Sequence, residues 1–317
     1  MTAAVLDAYG TPRPGTFPVP SSGLSPDEIL IRPLAAAVNG VDRAIASGKH
    51  FLSPRTLPVV VGRDGVGLTP DDRLVYFDGP SAPWGSMAEQ AVLAKRNLIE
   101  IPRRSDPAVA AALGNGGLAA WLPLSWRAGL REGETVAVLG AAGFVGSLAL
   151  QVARHLGAGR IIGVVRGAAD VAHARRLGAD AVIDTAAESD LTAALRAASP
   201  EGIDVIVDYL WGEVAAAALQ ATAMGARLVQ VGTVAGNTLA LSGETMRSRS
   251  LDVLGYVSFR APLELRTRAY QTMVQLAEEG RIEVAVKRYP LSQVMAAWNH
   301  VSKGVPSRPV VMAEPLA

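Results

Sequence analysis

The sequence predicts an α/β protein with two domains, one built on a doubly wound parallel sheet and the other made mostly of β-strands. The chain has 317 residues, more than the ~100–200 that a single domain usually contains. Short β-type runs punctuated by Gly and Pro fill its first third, and strands alternate regularly with helices after Gly133. The tail after about residue 262 is expected to return to the first domain. The predicted domains are therefore residues 1–115 with 262–317, and residues 116–261.

In the first domain the pattern predicts strands, turns and one short helix. The expected strands are Ile29–Pro33, Leu74–Phe77 and, near the end of the chain, Pro309–Met312. The Pro-rich segments Pro12–Pro20 and Pro80–Pro83 are interpreted as loops. An Ala-rich run after Pro107 predicts a helix over Ala108–Leu113.

In the second domain six apolar runs predict parallel strands, because a strand buried on both faces is almost continuously hydrophobic. Helical apolar spacing follows the first two runs, and a parallel pair needs such crossovers. Six strands match the dinucleotide-binding arrangement. The predicted strands are Thr135–Leu139, Arg160–Val165, Ala181–Asp184, Asp204–Asp208, Arg227–Val231 and Leu251–Leu254, and the helices are Val145–Leu156 and Asp170–Leu177.

Composition excludes several functions. The net charge is +1, so nothing draws the protein toward nucleic acid or an anionic membrane. The chain has no cysteine, which rules out disulfides, thiolate nucleophiles and Cys-ligated zinc. Residues 1–10 lack the features of a signal peptide, and a cytoplasmic location is expected. No Tyr has a Lys four residues later, which argues against the acid pair of short-chain dehydrogenases.

The strongest chemical signal is the turn from Gly140 to Gly146. It follows a predicted strand and opens a predicted helix, the context that gives a glycine motif its meaning. Glycines allow a close approach of backbone to ligand, and a helix N-terminus offers N–H groups to a diphosphate. Ala142 is placed where the common fingerprint has glycine. The residues expected to contact the diphosphate are Gly140, Ala142, Gly143, Phe144 and Val145.

The end of the second strand indicates which coenzyme is bound. NAD sites typically place an acidic residue there for the ribose hydroxyl, whereas this chain has Arg166. A guanidinium attracts and forks onto a 2′-phosphate, which a carboxylate would repel. The sequence therefore predicts NADPH rather than NADH, although the nearby Asp170 could weaken the preference.

Seven segments in order resemble the zinc-free quinone oxidoreductase type of medium-chain dehydrogenase/reductase. They are Ala37–Asp42, Leu57–Asp64, Gly85–Glu89, Gly140–Gly146, Leu177–Asp180, Gly202–Asp208 and Ser307–Val310. The resemblance implies a GroES-like catalytic domain formed by both chain ends, and a Rossmann domain between them. It also implies a cleft between the domains where nicotinamide meets substrate, and a homodimer formed through the Rossmann sheet edge near Leu251–Leu254.

Individual residues gain expected roles from that resemblance. Asn39 and Asp42 match residues near the nicotinamide, and the loop at Gly232 and Thr233 flanks the same region. His50 lies in a segment that the family places at the cleft, and it is the best candidate for a proton donor. Tyr76, like Trp84 and Tyr256, could line the cleft, although core packing is an alternative for each. The catalytic candidates are accordingly His50, Asp42 and Tyr76.

Departures from the zinc-dependent relatives predict that no metal is bound. Where those relatives have Cys and a Gly-His-Glu sequence, this chain has Val38-Asn39-Gly40 and Gly62-Arg63-Asp64, and Arg63 and Asp64 could pair with each other. A tyrosine common in quinone oxidoreductases is replaced by Ala44. The expected function is a zinc-independent, NADPH-dependent reductase of a quinone, an enone or a small carbonyl compound. The alternatives are an NADPH-binding sensor or structural protein with little turnover, and an alcohol dehydrogenase.

Overall fold

A computed structural model describes residues 1–20, 23–301 and 306–313. It divides into two compact units, Met1–Gly116 with Tyr270–Ala317, and Gly117–Ala269. The predicted boundaries were residues 115/116 and 261/262. The first unit is mostly β and the second carries a parallel sheet, as the sequence predicts for the fold class.

In the described residues of its first part, the chain forms eight strands and two α-helices. They are β1 (Thr2–Leu6), β2 (Arg13–Thr16), β3 (Glu28–Ala37), α1 (Gly40–Ala46), β4 (Val59–Val60), β5 (Asp64–Leu68), β6 (Leu74–Asp78), β7 (Ala91–Ala94), β8 (Leu98–Glu100) and α2 (Pro107–Ala112). The part of the structure that is described after residue 117 adds eight α-helices and eight strands. They are α3 (Leu118–Leu122), β9 (Thr135–Leu139), α4 (Phe144–His155), β10 (Arg160–Val165), α5 (Ala168–Arg176), β11 (Ala181–Asp184), α6 (Leu191–Ala198), β12 (Ile203–Asp208), α7 (Gly212–Leu219), β13 (Thr222–Gln230), α8 (Gly243–Arg249), β14 (Asp252–Gly255), α9 (Leu263–Glu278), β15 (Val286–Pro290), α10 (Val294–Val301) and β16 (Arg308–Met312).

Two sheets make up the first unit. A small sheet has the order β2-β1-β4, and a larger one runs β15-β16-β3-β5-β6-β8 with β7 also paired to β3. The predicted loop over Pro12–Pro20 is wrong at its centre, because Arg13–Thr16 pairs antiparallel with β1. Pro14 is tolerated there because β2 is an edge strand, where a missing N–H need not break a ladder.

The second unit contains a six-stranded parallel sheet in the order β11-β10-β9-β12-β13-β14. This is the strand order of a doubly wound dinucleotide-binding fold, in which the order reverses beside the first strand. Val136 to Leu139 of that first strand are fully buried, which explains its unbroken apolar run. The predicted sixth strand is displaced by one residue, to Asp252–Gly255.

One helical stretch, Pro107–Ala128, is long and apolar enough to cross a membrane by length and composition, but 78% of the relevant window is buried inside the structure. The stretch is not straight, since Gly114 has a non-helical ψ of −108°. A Cβ at Gly114 would lie 2.3 Å from the Tyr76 ring and 2.6 Å from Asp64 Oδ2. The neighbouring side chains therefore leave room only for glycine at this bend.

Candidate active site

The glycine turn lies at the carboxyl end of β9, the central strand of the parallel sheet. Gly140 has φ +86°, a conformation that favours glycine. The N–H groups of Gly140 and Ala141 both donate to Val164 O at 3.0 Å, which ties the turn to β10. Gly143 is the N-cap of α4 and supplies no side-chain cap. The first turn of α4 consequently directs backbone N–H groups and positive dipole toward an anion.

Close packing at Gly146 fixes the register of the motif. A Cβ there would lie 2.2 Å from Gly140 O and 2.8 Å from Ala141 Cα, which is the role of the third glycine in the fingerprint. A Cβ on Gly143 would meet nothing nearer than Gly140 O at 3.6 Å, as expected where a ligand must approach. Counting back from these two glycines puts Ala141, rather than Ala142, at the first glycine position. The x-x spacing between Gly143 and Gly146 was the signal in the sequence for this correction.

The loops after β12 and β13 meet the glycine turn at the same edge of the sheet. A Cβ on Gly140 would contact Leu210 at 3.2 Å, and one on Gly232 would lie 2.5 Å from Tyr209 O. Asp208, at the end of β12, accepts hydrogen bonds from the N–H groups of Leu210 at 2.8 Å and Trp211 at 2.9 Å, and burial raises its pKa. Asp208 thus shapes the loop that separates Gly140 from Gly232, a role the sequence did not reveal. Thr233 follows in this loop and is exposed.

Arg166 is exposed at the carboxyl end of β10. The next residue, Gly167, has φ +119° and begins α5 as its N-cap. Asp184, at the end of β11, accepts hydrogen bonds from Gly167 N at 2.7 Å and Ala186 N at 2.9 Å through one carboxylate oxygen. An acidic side chain therefore does lie beside the Arg166 loop, on the neighbouring strand, and it braces that loop through backbone N–H groups.

In the mostly β unit, Asp42 uses both carboxylate oxygens to hold backbone. Asn39 N donates to Oδ2 at 2.7 Å and Arg63 N donates to Oδ1 at 2.9 Å. The first bond belongs to a capping box at the start of α1. The side chain is 4% exposed, and burial raises its pKa to about 6 in spite of these bonds. The structure thus gives Asp42 a bracing role, and a direct catalytic role for it stays a prediction.

Asp64 is the centre of a buried polar cluster that the sequence did not identify. Its carboxylate accepts hydrogen bonds from Asn39 Nδ2 at 2.9 Å, Tyr76 OH at 3.2 Å and Asn115 N at 2.8 Å. Burial, reinforced by the negative charge of Asp42, raises its pKa to about 8. The expected pairing of Arg63 with Asp64 is wrong, because Arg63 Nε contacts Asp78 Oδ1 at 3.3 Å. Neighbouring residues of an extended chain point to opposite sides, which turns Asp64 inward.

Tyr76 lies within this cluster and is 2% exposed. Its ring centroid is 4.5 Å from that of Tyr270, and its hydroxyl is bonded to Asp64. Burial, with the charge of Asp64, raises the pKa of the phenol well above its usual value. The core packing considered as an alternative for Tyr76 is what the structure shows, and contact with substrate stays a prediction.

His50 occupies a tight turn after α1 and is half-buried. Its Nδ1 accepts a hydrogen bond from Leu52 N at 3.2 Å, so a neutral ring carries its proton on Nε2. Burial, together with the charge of Arg63, lowers its pKa, which keeps the ring neutral near pH 7. The neutral ring can donate a hydrogen bond from Nε2, but it is a weak acid. A role of His50 as proton donor requires that the ring first be protonated, and this role stays a prediction. Within the described ranges, no group of three His, Asp or Glu side chains could hold a metal ion.

Comparison with known proteins extends these observations. A model of the zinc-binding dehydrogenase family matches residues 145–279. The quinone oxidoreductase of Homo sapiens is 26% identical over 287 residues, covering 87% of this chain and 86% of that protein. The 2-methylene-furan-3-one reductase of Solanum lycopersicum is 30% identical over 237 residues, covering 68% of this chain and 55% of its own length. Escherichia coli quinone oxidoreductase complexed with NADPH shares the fold with a TM-score of 0.85 at 22% identity, over 98% and 100% of the two chains.

The parallel sheet with its glycine turn, coupled in one chain to a mostly β unit, defines an oxidoreductase that uses a nicotinamide coenzyme. The matched family and the relatives sharpen this class. The chain belongs to the medium-chain dehydrogenase/reductase family and is a quinone oxidoreductase-like member of it.

Proposed function

We propose that this enzyme reduces a quinone, an enone or a small carbonyl compound with NADPH and without a metal ion. The observation that carries the proposal is the exposed Arg166 at the end of β10, on the same sheet edge as the glycine turn. The first turn of α4 would hold the diphosphate and Arg166 the 2′-phosphate. Relatives named as a quinone oxidoreductase and a furanone reductase support the substrate classes.

The preference for NADPH follows from the charges at the adenosine end of the site. Arg166 presents a guanidinium that can fork onto phosphate oxygens. The carboxylate of Asp184 is partly neutralised by two backbone N–H donors, so its repulsion of a phosphate is reduced. The attraction by Arg166 and the reduced repulsion by Asp184 together favour NADPH over NADH.

The bound coenzyme supplies the hydride, and the protein binds, orients and excludes water. Gly143 allows the backbone to approach the diphosphate, while Gly232 and Thr233 would flank the nicotinamide end. Reduction also consumes a proton. The donor we favour is His50 after it has taken up a proton from water, because Asp42 and Tyr76 already use their polar atoms in buried hydrogen bonds. The imidazolium gives this proton to the substrate and returns to the neutral ring.

Independence from zinc is supported by the chemistry of the residues at the matching positions. Val38-Asn39-Gly40 contains no thiolate to replace the Cys, and the cationic Arg63 in Gly62-Arg63-Asp64 cannot replace a neutral His as a zinc ligand. We expect activity to survive exhaustive dialysis against a strong chelator, and addition of zinc to dialysed enzyme should not raise it. Loss of activity on dialysis that zinc restores would contradict this part of the proposal.

The test of the coenzyme assignment is the ratio of NADPH to NADH affinity in wild type and in Arg166→Ala. Loss of one charged hydrogen bond to phosphate is expected to lower the ratio by about tenfold. Arg160→Ala is a matched control, since Arg160 is an exposed arginine at the opposite end of the same strand. An unchanged affinity ratio in Arg166→Ala, or an equal change in Arg160→Ala, would show that Arg166 does not bind the 2′-phosphate.

The alternative hypothesis is a nucleotide-binding protein with little turnover. It is favoured by the hydrogen bonds that Asp42 and Tyr76 form within the fold, since these leave neither residue ready for catalysis. Steady-state NADPH oxidation with a panel of quinones and enones separates the two. Turnover with any member of the panel supports the reductase, and tight NADPH binding without turnover supports the rival.

A further inference from the structure

The segment from Ser47 to Arg55 holds an aromatic ring in solvent on an ordered loop. Phe51 is 70% exposed, yet its backbone is fixed by neighbours on both sides. His50 N donates to Ser53 Oγ at 3.1 Å, and Ser53 Oγ donates to Ile45 O of α1 at 2.7 Å. The loop therefore presents Phe51 in a preorganised position.

Tyr9 closes this loop from a second side. Its hydroxyl donates to Pro54 O at 2.6 Å, and a Cβ on Gly48 would lie 2.8 Å from its ring. Gly48 also has φ +79°, so glycine is needed there for both reasons. Tyr9 itself is 50% exposed. Two exposed aromatic rings thus belong to one small, well-braced surface, which we call the Phe51 surface (Tyr9 and Gly48–Arg55).

The ring of Phe51 is already stacked on one side. Its centroid is 4.3 Å from that of His50, with the planes tilted by 30°. Because its pKa is lowered, His50 is neutral near pH 7 and does not reduce the electron density of the phenyl face. The negative face of an aromatic ring prefers an electron-poor partner. A quinone or conjugated enone is such a partner.

The charged residues of this part of the chain are basic. Between Asp42 and Asp64 there are four basic residues, Arg43, Lys49, Arg55 and Arg63, and no acidic one. Arg63 contacts Asp78, whereas Lys49 and Arg55 are exposed and form no ion pair within the described ranges. The acids at either end are buried, and the nearby exposed Asp7 is paired with Arg13. The exposed charged residues of the Phe51 surface, Lys49 and Arg55, are therefore both positive.

We propose that the Phe51 surface binds the substrate as a planar, electron-poor ring that carries an anionic group, with Phe51 stacking on the ring and Lys49 and Arg55 attracting the anion. That this ring accepts the hydride rests on the proposed function above, but its binding does not. The anionic group could be a carboxylate, a sulfonate or a phosphate. A preference for such a substrate would distinguish this enzyme from one that reduces only neutral quinones.

The experiment compares 1,4-naphthoquinone with its 2-sulfonate. The sulfonate also changes the intrinsic reactivity of the ring, so the measured quantity is the ratio of the two kcat/KM values in each variant, in which reactivity cancels between variants. In the double variant Lys49→Ala with Arg55→Ala, the ratio of sulfonate to parent is expected to fall about three- to tenfold at low salt, and the difference should shrink as salt screens the charges. Arg96→Ala, an exposed arginine elsewhere in the unit, is the control and should leave the ratio unchanged.

Phe51 is tested separately. Phe51→Ala should lower kcat/KM for both compounds by about two- to tenfold, and Phe51→Tyr should restore it. Since Phe51 is exposed, neither change threatens the fold, and thermal melting checks this.

Equilibrium dialysis of the sulfonate against wild type and the double variant makes the outcome independent of turnover. If wild type binds the sulfonate and the variant binds it several-fold less, the inference stands even when no quinone is reduced, in which case the proposed function alone fails. Equal binding by both proteins, or a ratio of kcat/KM values that the double variant does not change, would overturn it.

Discussion

The Asp64 carboxyl accepts three hydrogen bonds in the core of the mostly β unit, while burial and the charge of Asp42 raise its pKa to about 8. An unfolded Asp loses its proton near pH 4. From about pH 4 to about pH 8 the folded protein thus binds one more proton than the unfolded chain. The free energy of unfolding must fall as pH rises through that window.

Asp64→Asn should remove this dependence, because the amide stays neutral at every pH. We expect wild type to lose about 2 kcal/mol of stability between about pH 6 and about pH 8, and the variant to lose clearly less. Urea denaturation at the two pH values measures this. Asp72→Asn, at an exposed carboxyl of the same unit, should keep the wild-type slope. A slope that is identical in wild type and Asp64→Asn would contradict the assignment of the buried proton to Asp64.

At the scale of elements, the contact between the glycine turn and α4 separates two glycines that look alike in the sequence. A Cβ at Gly146 would overlap Gly140 O at 2.2 Å, whereas one at Gly143 would have 3.6 Å to the same atom. Gly143 also has an ordinary φ of −69°. Position 146 is limited to glycine by packing within the protein, and position 143 by the approach of a ligand.

The variants Gly146→Ala and Gly143→Ala should accordingly behave differently. We expect Gly146→Ala to destabilise the protein by about 1–3 kcal/mol through overpacking. Gly143→Ala should change stability by less than about 0.5 kcal/mol but weaken NADPH binding by at least about tenfold, because its methyl group would crowd the diphosphate. Thermal melting and fluorescence titration with NADPH measure the two effects. Equal loss of stability in both variants would contradict the distinction.

The elements that the sequence predicted well are those whose environment is uniform. Strands β9, β10 and β11 begin and end at the predicted residues. For β9 and β10, burial on both faces leaves an apolar run bounded by polar residues or glycine, whereas β11 is a half-buried edge strand that turn residues delimit. The antiparallel strands of the first unit were found less completely. Strand β2 contains Pro14 and Gly15, which indicate a turn when read locally. Only its pairing with β1, which no local pattern shows, makes it a strand.

Within the site, the motif on one continuous segment was predictable and the cluster assembled from distant segments was not. Gly140 to Gly146 are consecutive with a strand and a helix. Asp64, Tyr76 and Asn115 lie far apart in sequence, and their contact depends on the bend at Gly114. An acidic residue opening the fully buried strand β5 was the available signal. It did not show which donors would surround the carboxylate.

At the scale of the whole molecule, β14 lies at one edge of the parallel sheet. An edge strand exposes unpaired backbone groups that can pair with a second chain, and the family resemblance implies a homodimer built in this way. We expect sedimentation velocity at micromolar concentration to give the mass of a dimer. A monomer throughout the accessible concentration range would contradict it.

Hydride transfer from NADPH is the central claim, and an isotope measures it most directly. NADPH that carries deuterium in both positions at C4 of its nicotinamide ring is oxidised by the enzyme with a conjugated enone, and the product is examined by mass spectrometry and NMR. Hydride transfer should leave one deuterium on the β-carbon of the saturated product. Oxidation of the labelled NADPH that yields a saturated product without deuterium at that carbon would contradict it.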